Sequence, residues 1–165
     1  MQKSNITFDS IANEITHTNK FNELKSENHH GITRYIHVLR VSKYTYKISK
    51  FFHLDYVSAT RAALLHDYFT NNELYNENTF KRGILHPDTA CINAQRDFIL
   101  NNIEKNAITS HMFPLCHELP KYKESWVLTL VDKCVAAYEM TRYKLTNFLT
   151  LYSIFTMNMI LFWQK

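Results

Sequence analysis

The stretch RAALLHDYF, residues 61–69, places an adjacent histidine and aspartate, His66 and Asp67, directly behind four aliphatic residues. It contains no glycine or proline and follows Asp55, a residue type that caps the first free amides of a helix. The pattern predicts a helix over Tyr56–Phe69 whose His66 and Asp67 face turns inward. Further helices are predicted on either side. One covers about residues 5–17, with Ile6, Phe8, Ile11 and Ile15 as its apolar positions. Another covers Ile32 to about Phe52, where apolar residues recur near helical spacing. His86-Pro87-Asp88 is expected to open a helix to about Leu100, since proline and acids suit a first helical turn. Asn102–Met112, Glu124–Tyr143 and Lys144–Trp163 follow, the last as a separate helix or a continuation. Asn19–His30 and Pro114–Lys123 read as loops, and Asn71–Asn78 as a loop or frayed helix.

With 165 residues the chain is expected to be one domain with a sizeable core. Only 2 glycines and 3 prolines occur, too few for the frequent turns of an all-β fold, so the fold class is all-α. The isolated Gly31 and Gly83 also exclude a phosphate-binding glycine loop and a dinucleotide fingerprint. The net charge of +4 comes without a run of five like charges, so no nucleic-acid partner is expected. Cys91, Cys116 and Cys134 are odd in number and widely spaced, which predicts reduced thiols in a cytoplasmic protein. The polar N-terminus lacks the apolar core of a signal peptide. Phe148–Trp163 is strongly apolar, but polar residues from Thr146 to Asn158 interrupt it. It is expected to be a buried or dimer-forming helix, with no membrane partner. The expected organisation is a helix and loop over 1–30, a core over 31–142, and an apolar helix over 143–165 that packs on the core or on a second copy.

The chemistry lies in six residues. His37 stands in TRYIHVLRV, His66 and Asp67 in LLHD, His86 in ILHPDTA, His111 in AITSHMFP and Asp132 in LTLVDKCVAAYE. Each context is apolar, and each falls on a different predicted helix or at a helix end. Any one alone reads more readily as a core histidine or a helix cap. Together, four imidazoles and two carboxylates form a set that is costly to bury unpaired and that transition metals satisfy. Six ligands suffice for two ions with a bridging carboxylate. Such a pair can hold a hydroxide and stabilise the oxygens of a phosphoryl transfer.

In chain order these residues spell H…HD…H…H…D. With this pattern the chain resembles the HD-domain superfamily of metal-dependent phosphohydrolases, over about Gly31 to Glu139. The resemblance implies a single HD-domain helical bundle with a central metal site. His37, His66, Asp67 and Asp132 match the four defining ligand positions, and His86 and His111 match the two extra histidines of binuclear members. It implies two divalent transition-metal ions, drawn from iron, manganese, cobalt, nickel or zinc. His37, His66, Asp67 and Asp132 would hold one, and Asp67, His86 and His111 the other, with Asp67 as the bridge and a catalytic residue. The implied activity is hydrolysis of a phosphoester or phosphoanhydride by a metal-bound hydroxide. The expected partner is a small phosphorylated molecule, with a nucleotide preferred by analogy. The alternative is a non-catalytic, metal-containing binding or regulatory module of the same fold. The Gly-Tyr-Pro signature of the cyclic-dinucleotide phosphodiesterase branch is absent, and His111 is followed by Met112 where that branch has a second histidine. In ligand pattern and size the chain looks more like the bacterial dinucleoside tetraphosphate hydrolases.

Other residues are weaker candidates. Arg34 and Arg40 lie three residues either side of His37, near its helix face, and an arginine fork suits a substrate phosphate. Lys133 follows Asp132 and is a candidate for neutralising phosphate charge. Arg61 and Lys121 are further candidates for substrate binding. His29 and His30 are expected in a solvated loop, and His17, His53 and His117 as structural. Tyr68 and Tyr122 are read as core residues.

Overall fold

A computed structural model describes residues 6–29 and 31–163. His30 lies outside the described residues, as does the side chain of His29. The architecture is all-α. Seven α-helices are described: α1 (Phe8–Thr16), α2 (Asn19–Glu23), α3 (Arg34–Phe51), α4 (Tyr56–Leu65), α5 (Thr79–Asp97), α6 (Asn102–Ser110) and α7 (Lys123–Trp163). A 3₁₀ turn covers Asn71–Leu74. Two short antiparallel strands, β1 (Asn28–His29) and β2 (Ile32–Thr33), pair Asn28 with Thr33 and His29 with Ile32.

A chain this poor in glycine and proline starts its helices with side chains. Thr7, Thr18, Thr33, Asp55 and Asn78 each accept a hydrogen bond from the amide three residues on. Asn101 does the same within a reciprocal capping box with Glu104. The predicted Asp55 cap is present, with its Oδ1 3.1 Å from the Ser58 amide.

Three expectations are corrected. Residues 19–30 are not a loop throughout. Thr18 caps α2, whose fully buried Phe21 anchors it, and the strand pair follows. A single apolar anchor in a polar segment leaves no periodic signal. The helix carrying His86 does not open at Pro87 but at Thr79, behind the Asn78 cap, so Pro87 lies inside α5. The ring of Pro87 crowds the carbonyl of residue 83, which is a glycine without a side chain. α4 ends at Leu65 rather than Phe69, with His66 as its C-cap. Of the two readings of Lys144–Trp163 the continuation holds, since residues 123–163 form one unbroken helix.

α3 packs against α4 and α7, α4 against α6, and α6 against α5 and α7. Val38, Val41, Ala62, Leu64, Leu65, Ile108 and Leu128 fill the centre with essentially no exposure. Each such leucine or isoleucine contributes about 1.5–3 kcal/mol. Ile11, Ile15, Phe21 and Tyr68 extend the core beneath α4. The helices therefore bring the C-terminal ends of α4 and α6, the first turn of α3 and the interiors of α5 and α7 to one point. Beyond Glu139, α7 runs past the core, and its side chains from Met140 to Ile154 are exposed instead of packed on the bundle. Tyr143 is the exception in one respect. Its ring overlies Gly31, which has φ +87° and where any Cβ would clash with that ring. Among the described residues no helix is long and apolar enough to cross a membrane.

Candidate metal centre

The six residues of the histidine and aspartate pattern meet at that point, and all six are buried. His37 comes from the end of the first turn of α3 and Asp132 from within α7. His66 caps α4, Asp67 follows it, and His111 caps α6. His86 lies in α5 beside Pro87.

The cluster has two sides. On one, Asp132 Oδ1 lies 3.0 Å from His37 Nε2 and 3.6 Å from His66 Nε2. On the other, Asp67 Oδ1 lies 3.5 Å from His86 Nε2 and 4.0 Å from His111 Nε2. The second oxygen of Asp67, Oδ2, faces His66 Nε2 at 3.9 Å. Asp67 thus turns one oxygen to each side. His37, His66 and Asp132 bring one ligand atom each within 4.8 Å of one another, and so do His66, Asp67 and His111. His66 consequently reaches both sides, where the family pattern assigns it to one.

The ring orientations follow from the other nitrogen of each histidine. His66 Nδ1 lies 2.8 Å from the Ala63 carbonyl, His111 Nδ1 2.7 Å from that of Ile108, and His86 Nδ1 2.9 Å from that of Arg82. His37 Nδ1 lies 2.8 Å from the Glu139 carboxylate. Carbonyls and carboxylates only accept, so each Nδ1 donates, and a neutral ring at His66, His86 or His111 points an Nε2 lone pair inward. This is the arrangement that fixes metal-ligating imidazoles. His66 Nε2 is buried without a hydrogen-bond partner, and the Nε2 atoms of His86 and His111 stand 3.0 Å apart. Facing lone pairs around two carboxylates repel unless a cation lies among them. The donor set of imidazole nitrogens and carboxylate oxygens fits divalent transition metals.

Electrostatics follow the same geometry. Burial opposes charge on His37, but hydrogen bonds to Asp132 and Glu139 outweigh it and push the imidazole up to about 10. Burial, reinforced by His66 and His86, pushes His111 down to about 3, so its ring is neutral. Asp132 is held well below the usual carboxylate range, because His37 and His66 outweigh the cost of its burial.

A cavity of about 560 Å³ opens from Asp67, His86, His111 and Asp132. Phe69, Met112, Leu115, Ala137 and Met140 give it an apolar wall, and Arg34, Arg82 and Lys133 line it with cations. Lys133 donates to the His111 carbonyl at 3.0 Å, and burial lowers its pKa. Arg34 is buried against the Phe69 ring, 3.9 Å from its centroid. Its terminal nitrogens donate to the Phe69 carbonyl and Asn71 Oδ1, and its Nε lies 3.8 Å from Asp67 Oδ2. Arg34 therefore holds the turn behind Asp67.

The remaining basic candidates lie elsewhere. Arg40 pairs with Glu139 behind His37 and does not line the cavity. Arg61 bridges Glu14 and Glu104 at 2.6 and 2.7 Å, tying α1, α4 and α6 together. Lys121 is exposed and pairs with Glu118 at 2.6 Å. Neither Arg61 nor Lys121 reaches the cluster.

Two residues absent from the sequence-based candidates belong here. Glu139 supports His37, and its signal was its place seven residues after Asp132, on the same face two turns on. Arg82 lines the cavity and offers its carbonyl to His86, four residues on. Comparison of the chain with protein-family models, curated proteins and solved structures returned no match.

Proposed function

We propose that the protein is a metal-dependent phosphohydrolase of the HD type, with the buried cluster holding two divalent transition-metal ions. The observation that carries this reading is Asp67, whose two oxygens address opposite sides of a ring of inward-facing Nε2 atoms. A carboxylate so placed suits a bridge between two cations. When bound, such ions supply Lewis acidity at phosphoryl oxygens and lower the pKa of water to around 7.

This chain's own residues supply the rest. Lys133 has donors beyond its bond to the His111 carbonyl and lies where it can receive a phosphoryl oxygen. Arg34 orients Asp67 rather than touching substrate. The apolar wall of the cavity excludes water and suits an organic group attached to the phosphate, such as a nucleoside. We assign the substrate to small phosphorylated molecules, nucleotides first. The three cysteines, free of disulfides, suit a reducing, cytoplasmic setting.

The test is metal content per chain after purification without chelator, followed by a phosphate-release screen of nucleotides with added manganese, iron or cobalt. Two ions per chain and release from one nucleotide class is the expected result. Metal without hydrolysis of any phosphorylated compound would return the fold to the role of a binding module.

A further inference from the structure

One face of α7 carries an uncharged, apolar stripe: Leu130, Cys134, Tyr138, Leu145, Phe148 and Tyr152. All six are exposed. At its base the stripe joins a groove of about 430 Å³ between α3 and α7, floored by Tyr44, Ile48, Val131 and Val135. At its far end it continues onto the part of the helix that overhangs the bundle. The face of that overhang in line with the core-facing Leu128, Val135 and Glu139 carries Arg142, Thr146, Thr150 and Ser153, with Leu149 at its edge, and all five are exposed.

We infer that this face docks a second copy of the chain, with the two α7 helices antiparallel across a two-fold axis near Thr141. The stripe is self-complementary about that residue. Leu130 comes opposite Tyr152 and Cys134 opposite Phe148, so a small residue receives a large one beside the groove, and Tyr138 and Leu145 meet one residue off exact register. The small side chain of Thr141 lets the helices approach at the crossing. The overhang of each copy then fills the groove of the other, as an isologous interface requires. Aromatic side chains carry about 150–250 Å² each. The exposed parts of Tyr44, Tyr138, Phe148 and Tyr152 with Leu130 and Leu145 come to roughly 600 Å² per copy, at the lower edge of the range for a stable interface.

Arg142 and Lys144 flank the stripe, and Arg40 lines the groove. The rims of two copies are thus alike in charge. Their repulsion is screened by salt, so the dimer strengthens as ionic strength rises. Docking of the same face on an anionic membrane would weaken instead.

The experiment is sedimentation of the full chain at micromolar concentration over a range of salt. The expected result is twice the chain mass, with the dimer fraction rising with salt. Leu130→Asp and Tyr152→Lys should each halve the mass while circular dichroism is unchanged, and the double variant should restore the dimer by pairing the two charges. In a second measurement, Phe148→Cys should cross-link to Cys134 of the partner subunit on treatment with diamide, and the unsubstituted chain should not. A monomer at all salt concentrations, a dimer indifferent to Leu130→Asp and Tyr152→Lys, or binding to phosphatidylserine vesicles by a chain that stays monomeric would each overturn the inference.

Discussion

The two sides of the histidine and aspartate cluster are built differently. His37, the fourth residue of α3, and Asp132, within α7, project from long helices whose carbonyls at these points have partners in the helix. The Nδ1 of His37 is taken up by a side chain, the Glu139 carboxylate. His66 and His111 sit at the C-caps of α4 and α6, where the last carbonyls lack helical partners. Their Nδ1 atoms take up the carbonyls three residues back, at Ala63 and Ile108. Within α5, His86 Nδ1 likewise takes a backbone carbonyl, that of Arg82, so among the four histidines His37 is the one held by a further side chain. The side of His37 and Asp132 is vulnerable through a side chain that touches no substrate; on the side of His86 and His111 only backbone carbonyls support the rings.

Asp67 belongs to both sides, so its removal has the largest effect. Asp67→Ala is expected to bring metal content from two ions to none and phosphate release to background, measured on the same preparation. A variant that keeps two ions would break the division into two sides joined by one carboxylate. His86→Ala comes next. It removes a ligand from one side only, so metal content is expected to fall from two ions to one while His37, His66 and Asp132 retain theirs. Two ions in His86→Ala would show that the sides are wrongly drawn.

The sequence made one of these designs more legible than the other. The aliphatic run before His66 and Asp67 marks a helix aimed inward, and the apolar contexts of His37, His111 and Asp132 mark theirs. All six residues do converge. The supporting contacts were harder to read. A backbone carbonyl has no letter in the sequence, so the acceptors at Ala63, Arg82 and Ile108 left no trace. Glu139 did leave one, in its seven-residue spacing from Asp132. Arginine and lysine positions misled for a related reason. Charge and proximity in sequence suggested Arg61 and Lys121 as phosphate ligands, but a guanidinium is directed by whichever carboxylates the fold brings near. For Arg61 these are Glu14 and Glu104, from helices distant in sequence. The extent of α5 was hidden because Pro87 reads as a start signal, and only the fold shows Asn78 capping the helix ahead of it.

Glu139→Gln sharpens the comparison at smaller magnitude. The amide keeps the size of the side chain but loses the charge that supports His37, and removal of such a supporting group typically costs about 10–100-fold in metal affinity. The loss is expected for one ion of the two, read as one weakened binding isotherm beside one unchanged. Equal weakening of both would mean that Glu139 acts on the whole bundle instead of on His37.

Arg61 gives the contrast between the site and the scaffold. Its Nε and Nη1 join Glu104, which is buried, to Glu14, which is exposed. Burial opposes the charge on Arg61, but both carboxylates outweigh it and raise its pKa further. Arg61→Met keeps most of the aliphatic stem and leaves Glu104 without its charged partner. The bonds to Glu14 gain little in water, so the cost falls mainly on the buried half and amounts to about 1.5–3 kcal/mol, the range for a hydrogen bond to a charged group. The midpoint of thermal unfolding is therefore expected to drop while metal content stays at two ions per chain. Lys121→Ala, which removes an exposed ion pair, should leave both unchanged. If Arg61→Met lost metal at a temperature where its helices remain intact, Arg61 would belong to the site, and charge in the sequence would have been the better guide.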